Sequence, residues 1–313
     1  MTFDFIQLFL GIFALYYASS LLIDSGSLLA SKYNIPKVVI GLTLIAFGTS
    51  LPEFIVSMVA IYNEKIDIVT GNILGSNIAN IGLVLGLSAF LYKLTCDFRR
   101  IKLDIVFLSI SSIAFSFILY SNIVFQYNSF EKVYGLIFLI LFFIYIYILF
   151  NTNRTNVDIS DSLEEDKSVI LLIIYILIGS IGLSIGSHLL INGAIKLASY
   201  FHIPELVIGA TAIALGTSLP ELATSLNAAK KNEFELLLGN IFGSNIINIA
   251  FVFGCSLIIN DNPVNLLIEN LFDLSIFLLV TFSLIIALVN NKIYRLYGLF
   301  LLTTYIIYIY RIL

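Results

Sequence analysis

Apolar runs long enough to cross a lipid bilayer recur roughly ten times along this chain, and that leaves its backbone little choice. The hydrocarbon layer offers no water to peptide N–H and C=O groups, so a spanning segment must satisfy them internally, as a helix does. A span takes about 20 apolar residues. Suitable runs lie at roughly 5–23, 36–61, 68–92, 103–121, 131–150, 168–191, 204–229, 235–259, 270–290 and 294–312. Charged residues make up 12% of the 313, against about 25% in a soluble domain. The expected fold is an all-α polytopic membrane protein with ten transmembrane helices. The N-terminus lacks the basic segment and small-residue cleavage site of a signal peptide, so the first run is read as a retained span. Cys96 and Cys255 have no metal-site spacing and give no disulfide framework. No Gly-rich phosphate loop, tract suited to nucleic acid or separate soluble domain is present.

The longest polar stretch, residues 151–167, carries Asp158, Asp161, Glu164, Glu165 and Asp166 and reads as a flexible acidic linker. It divides the chain into 1–150 and 168–313, five spans each. Lys and Arg set the orientation. With ten spans, Lys32, Lys37, Lys93, Arg99, Arg100, Lys102, Arg154, Lys167, Lys230, Lys231, Lys292 and Arg295 fall on one side. Lys65, Lys132, Lys196 and Arg311 fall on the other. The richer side is expected to be cytoplasmic, with the linker inside and both termini outside the cell membrane. Because five is odd, the second half must cross in the opposite sense to the first. That is an inverted-topology repeat, an arrangement common in secondary transporters.

The halves also share sequence. Gly48-Thr49-Ser50-Leu51-Pro52-Glu53 returns unchanged 168 residues later as Gly216-Thr217-Ser218-Leu219-Pro220-Glu221. At the same offset Pro36 matches Pro204, Gly41 Gly209, Ala46 Ala214 and Ser57 Ser225. Gly71-Asn72 matches Gly239-Asn240, Gly75-Ser76-Asn77-Ile78 matches Gly243-Ser244-Asn245-Ile246, and Asn80 matches Asn248. The two motif blocks are 36–86 and 204–254. Packing explains retained glycines, but not retained glutamates. A carboxylate at membrane depth is costly and is kept mainly where it faces a cavity or an ion path. Of the 20 acidic residues, only Glu53 and Glu221 are read as lying deep in the membrane.

Pro52 has no N–H, so the Gly48 carbonyl should lose its intrahelical partner; Pro220 should do the same to Gly216. A broken helix is expected at each, and freed carbonyls are hard oxygen ligands. Thr49 and Glu53, like Thr217 and Glu221, are four apart and would share a helix face. Ser50 and Ser218 stand nearby and are expected to face Asn and Ser of the following helix. In that helix Asn72, Ser76 and Asn80 form a polar stripe, repeated by Asn240, Ser244 and Asn248. Asn77 and Asn245 are read as bridging helices, and His188, which has no counterpart in the first half, as structural. The combined ligand set is all oxygen. It suits Na⁺ and Ca²⁺, and the absence of His or Cys from the motifs argues against Zn²⁺ or Cu. Two glutamates neutralise one Ca²⁺ or two Na⁺, so both cations could compete for one midplane site, as an alternating-access antiporter requires.

At GTSLPE and GNxxGSNxxN the chain resembles the cation/calcium exchanger superfamily, in particular the paired alpha repeats of its prokaryotic sodium/calcium exchangers. The resemblance implies exchange of several Na⁺ for one Ca²⁺, with no cofactor and no obligate protein partner. It implies that Glu53 and Glu221 bind Ca²⁺ directly. Thr49, Ser50, Thr217 and Ser218 match Na⁺ or Ca²⁺ ligands, and the Ala46 and Ala214 carbonyls match Na⁺ ligands. Ser76, Ser244 and Asn80 match the remaining polar lining, and spans one and six would form a sliding gate. Some exchangers carry Asp where this chain has Asn248, which leaves stoichiometry and H⁺ or K⁺ coupling open. The alternatives are an H⁺- or K⁺-coupled exchanger, a passive cation channel or an intramembrane enzyme; no nucleophile–base pair or metal triad supports the last.

Overall fold

Helix takes up nearly all of the described chain, and most helices carry their large apolar side chains outward. The computed structural model describes residues 2–95, 98–125, 131–151, 167–200, 216–260, 270–290 and 292–312. In chain order the helices are α1 Thr2–Lys32, α2 Lys37–Thr49, α3 Leu51–Tyr62, α4 Ile66–Leu91, α5 Phe98–Phe125 and α6 Glu131–Asn151. Then come α7 Val169–Tyr200, α8 Leu219–Lys230, α9 Phe234–Ile259, α10 Asn270–Asn290 and α11 Arg295–Ile312. Strands Leu94–Thr95 (β1) and Lys292–Ile293 (β2) pair antiparallel. Among the described residues six helices, α1, α4, α5, α6, α7 and α9, are long and apolar enough to cross a membrane, and α2 with α3, bent by 47°, adds a seventh if the pair is taken as one span. The acidic linker's residues 152–166, with Cys96, Pro204, Gly209 and Ala214, lie outside the described residues.

The described chain divides into two units. One holds Met1–Leu51, Asn153–Gly243 and Ile309–Leu313; the other holds Pro52–Thr152 and Ser244–Tyr308. In the first, α1 and α7 lie antiparallel with backbones almost touching. A Cβ on Gly11 would sit 2.6 Å from the Leu190 nitrogen, and one on Gly193 would sit 2.9 Å from the Leu8 nitrogen. α2 and the start of α9 pack equally closely, since a Cβ on Gly239 would lie 2.9 Å from the Gly41 Cα. Small residues permit this approach, and in lipid such packing replaces the hydrophobic drive between helices. In the second unit α11 lies against α4, where a Cβ on Gly82 would meet the Tyr305 Cβ at 3.0 Å.

Burial separates centre from periphery. The apolar window of α4 is 78% buried and that of α9 83%, whereas those of α1 and α6 are 28%. α4 and α9, which carry the two copies of GNxxGSNxxN, are therefore mostly buried. Phe9, Phe13, Phe143 and Tyr147 on α1 and α6 are exposed, as lipid-facing residues should be.

Helix ends follow local chemistry. α1 runs nine residues past the expected limit of 23, since Ser25-Gly26-Ser27 contains no proline and an isolated glycine is tolerated in a helix, and stops where Asn34 turns to φ 52°. Bonds from Ile35 N–H to Ala30 O, Lys65 N–H to Ala60 O and Glu233 N–H to Ala228 O close α1, α3 and α8. In each the preceding residue, Asn34, Glu64 or Asn232, is left-handed. The last two ends are related by the 168-residue offset.

Charged side chains gather at the two ends of α1. At one, Lys37 Nζ lies 2.7 Å from Glu233 Oε1, which also accepts from Ser27 Oγ at 3.0 Å. Lys231 Nζ lies 2.6 Å from Asp24 Oδ1, and Lys32 Nζ donates to the Lys167 carbonyl at 2.8 Å. At the other, Lys196 Nζ donates to Gln7 Oε1 at 3.2 Å.

Replacing Gly239 with Val should lower stability by about 1–3 kcal/mol through overpacking. Gly71→Ala, whose Cβ meets nothing within 4 Å, should leave it unchanged or raise it by up to about 1 kcal/mol. Monodisperse protein remaining after graded heating, read by size-exclusion chromatography, checks both.

Candidate functional site

The first copy of GTSLPE breaks a helix ahead of its proline, and the second holds a turn at the matching place. Ser50 (φ −86°, ψ 7°) and Ser218 (φ −86°, ψ 2°) are both non-helical, and new helices begin at Leu51 and Leu219. The break corrects one expectation. Thr49 ends α2 and Glu53 lies in α3, so no continuous helix holds them at i and i+4 on one face. Thr217 and Glu221 are separated in the same way by Ser218.

Glu221, in the first unit, is 0% exposed, and Ser50 Oγ donates to its Oε1 at 3.1 Å. Ser50 thus serves the glutamate of the other sequence half rather than facing Asn and Ser of the next helix, as expected. Ser218 Oγ is buried with no hydrogen-bond partner among the described residues. Thr49 Oγ1 donates to Asn240 Oδ1 at 2.9 Å, with the Ala46 carbonyl 3.2 Å away; that carbonyl also accepts the Ser50 N–H at 3.0 Å. Asn240 Nδ2 donates to Ser225 Oγ at 3.3 Å. Thr217 is half-buried in the turn before Ser218.

The carbonyl that Pro220 deprives of a partner is not left bare. Ser187 Oγ, from α7, donates to the Gly216 carbonyl at 2.6 Å. This hydroxyl occupies an oxygen expected to serve as a ligand. The sequence held no signal for it, because the contact joins segments far apart in the chain.

Glu53, in the second unit, is also 0% exposed. Asn72 Nδ2 lies 3.2 Å from the Glu53 carbonyl and 3.2 Å from Ser57 Oγ. Asn72 to Ser57 is the contact Asn240 makes to Ser225, displaced by 168 residues. Ser76 and Ser244 are buried. The stripe's regular spacing ends at Asn80, which opens a π-helical turn, Asn80–Leu85; Ile247–Phe253 forms another around Asn248. Such turns concentrate at functional positions, and no residue type announces them. Asn80 Nδ2 donates to Asn245 Oδ1 at 3.1 Å, and Asn248 Nδ2 donates to Asn77 Oδ1 at 3.1 Å. Asn77 Nδ2 reaches the Asn245 carbonyl at 3.5 Å.

Burial also adds an acid that the sequence reading passed over. Asp104 is 0% exposed in α5 and accepts from Tyr145 Oη of α6 at 2.8 Å. Its place beside Arg99, Arg100 and Lys102 had suggested a span end. His188 Nε2 meets Asn192 Nδ2 at 2.9 Å on α7, and Cys255 is a free thiol.

Apolar helices with outward Phe and Tyr, broken turns at Ser50 and Ser218, and two fully buried glutamates define a multi-pass helical membrane protein with an oxygen-rich polar interior. The profile of the family described as "Sodium/calcium exchanger protein" matches residues 3–151 and 171–313. The chain belongs to that family. An uncharacterised membrane protein of Methanocaldococcus jannaschii is 35% identical, covering 95% of this chain and 94% of its own. The sodium/calcium exchanger MaX1 of Methanosarcina acetivorans is 30% identical over 82% of this chain and 83% of its own. Among solved structures, the sodium-calcium exchanger NCX_Mj soaked with zero Na⁺ and Ca²⁺ superposes with a TM-score of 0.82 at 33% identity, covering 98% of both chains.

Ser187→Ala should strand the buried Gly216 carbonyl and cost about 1–3 kcal/mol. Denaturant titration of the purified protein, followed by circular dichroism, checks it, with Ser184→Ala as a half-buried control on the same helix.

Proposed function

We propose that this protein exchanges Na⁺ for Ca²⁺ across the cell membrane by alternating access, with Glu53 and Glu221 as the charged ligands of a midplane site. The observation that carries the reading is the complete burial of both carboxylates, each just after a broken turn and each at the same place in a duplicated motif. Buried anions of this kind need a counter-charge. MaX1 and NCX_Mj, which the chain matches over most of its length, are sodium/calcium exchangers.

The proposed ligands around the glutamates are Thr49, Ser50, Thr217 and Ser218, the carbonyls of Ala46 and Ala214, and Ser76, Ser244, Asn80 and Asn248. The Ser50 bond to Glu221 and the Thr49 bond to Asn240 support the first two, since each places a hydroxyl oxygen in a buried polar cluster. Na⁺ and Ca²⁺ are substrates of this site, and all of its ligands are oxygens, as both ions prefer.

The proposed topology is ten spans in two inverted five-helix halves, 1–150 and 168–313, joined by a cytoplasmic linker at 151–167, with both termini outside. Contacts between loops support the alternation. Lys32 with Lys167, Lys37 with Glu233, and β1 with β2 each join loops assigned to the basic side. Lys196 with Gln7 joins helix ends assigned to the other. The matched ends of α3 and α8 and the matched asparagine contacts support the duplication.

In the mechanism, cation binding neutralises the two carboxylates and thereby permits the occluded state. With both ionised and no cation bound, transit would move bare charge through low dielectric, so the empty carrier stays on one side. Exchange rather than leak follows.

Radiolabelled Ca²⁺ should enter Na⁺-loaded proteoliposomes diluted into Na⁺-free buffer, and not choline-loaded ones. Glu53→Gln and Glu221→Gln should each reduce uptake at least about a hundredfold, the scale of a lost buried charge of 3–5 kcal/mol. Equal uptake with choline inside would remove Na⁺ as the coupling ion; undiminished uptake in both variants would remove the glutamates from the site.

A further inference from the structure

A carboxamide can present either its oxygen or its NH₂ to a ligand, and only the oxygen suits a cation. Its other bonds decide which end is offered. Asn80 and Asn248 are both 0% exposed. The NH₂ of each is bound, to Asn245 Oδ1 and Asn77 Oδ1 respectively, at 3.1 Å. The Oδ1 of each is buried with no hydrogen-bond partner among the described residues. Two amide oxygens of the second unit are thus left over, at matching positions in the duplicated sequence.

The orientation of the Asn77–Asn248 pair is anchored by a main-chain atom. A backbone carbonyl only accepts, so the Asn77 side-chain atom that meets the Asn245 carbonyl must be the NH₂. Asn77 Oδ1 is then the end that faces Asn248, and it requires the Asn248 NH₂ in return. Asn245 Oδ1 meets the Asn80 NH₂ in the matching contact, but the Asn245 NH₂ is buried with no hydrogen-bond partner among the described residues, so the main-chain anchor belongs to the Asn77–Asn248 pair. A reversed Asn248 amide would set oxygen against oxygen at about 3 Å, losing one buried hydrogen bond and adding a repulsion. The π-helical turns at Asn80–Leu85 and Ile247–Phe253 contain the two held residues, whereas Asn77 and Asn245 lie on the regular helix before them.

We infer that Asn77 is a positioning residue, which fixes the carboxamide of Asn248 so that its oxygen, and not its NH₂ group, is offered to a transported cation. This rests on the proposed cation site and adds to it one residue that binds no ion itself.

The test is a pair-specific one on full-length purified protein, with radiolabelled Ca²⁺ and competing Na⁺ as the probes. Asn77→Ala should raise the half-saturating Ca²⁺ concentration about fivefold, the effect of one net hydrogen bond of roughly 1 kcal/mol. Asn77→Ala combined with Asn248→Ala should bind no more weakly than Asn248→Ala alone, because the positioning residue then has nothing to hold. Asn77→Ala combined with Asn80→Ala should instead show the product of the two single effects. A residue needed merely for packing would not distinguish Asn248 from Asn80. Equal multiplicative losses in both combinations, or unchanged binding in Asn77→Ala, would overturn the inference. Should the alanine variants not elute as monodisperse protein, the same cycle with Asn77→Ser, which keeps a shorter oxygen acceptor, gives the comparison. Wild-type protein that binds Ca²⁺ but fails Na⁺-driven uptake in liposomes would overturn the exchange reading alone, with the binding cycle still deciding the role of Asn77. Wild-type protein that binds neither ion would overturn both.

Discussion

A carboxylate taken out of water must be met by hydrogen bonds or counter-charge, and that requirement organises the interior of this protein. Glu53 and Glu221 are fully buried, and the polar residues described around each come largely from the same duplicated motifs. Ser50 donates to the Glu221 carboxylate, Asn72 to the Glu53 main-chain carbonyl, and each glutamate follows a broken turn. Proline removes an intrahelical bond at membrane depth, and the structure repairs the loss locally instead of solvating it. The Ser187 hydroxyl on the Gly216 carbonyl is that repair, made by a helix outside the motif.

Close backbone packing is the second theme. Glycines let α1 meet α7 and let α2 meet α9 with hardly a side chain between them. This compensates for the weak drive toward association in lipid, where the hydrocarbon is as apolar as the helices themselves. It also brings main-chain dipoles and short polar side chains near one another. Thr49 reaches Asn240 across such an approach.

Much of this was legible in the sequence, for identifiable reasons. Pro52 and Pro220 announced the breaks, and the letter-for-letter return of GTSLPE singled out the two glutamates. Apolar runs gave most helices to within a few residues. What stayed hidden depended on distant partners or on backbone choices no residue type dictates. The π-helical turns at Asn80 and Asn248 fall in sequence that reads as ordinary helix. Ser50 pairs with a glutamate 171 residues away, where proximity in sequence suggested the next helix. Asp104 stands beside three basic residues in the sequence, yet it is fully buried and accepts from Tyr145. α1 outran its apolar core because nothing before Asn34 could stop it.

The side chain at 248 is an amide, held by Asn77 and unable to ionise, and this has an electrical consequence. On the proposed reading the protein's own contribution to the centre is fixed at two negative charges, from the glutamates. With one Ca²⁺ aboard the centre is neutral, and the membrane potential does no work on its passage. With n Na⁺ aboard it carries n − 2 charges. Any n other than two therefore places the whole voltage sensitivity of the cycle in the Na⁺ limb, worth about 2.3 kcal/mol per charge for each 100 mV crossed. An acid at the same position would share that sensitivity between the two limbs according to its ionisation. The asparagine makes the division independent of pH wherever the glutamates remain ionised.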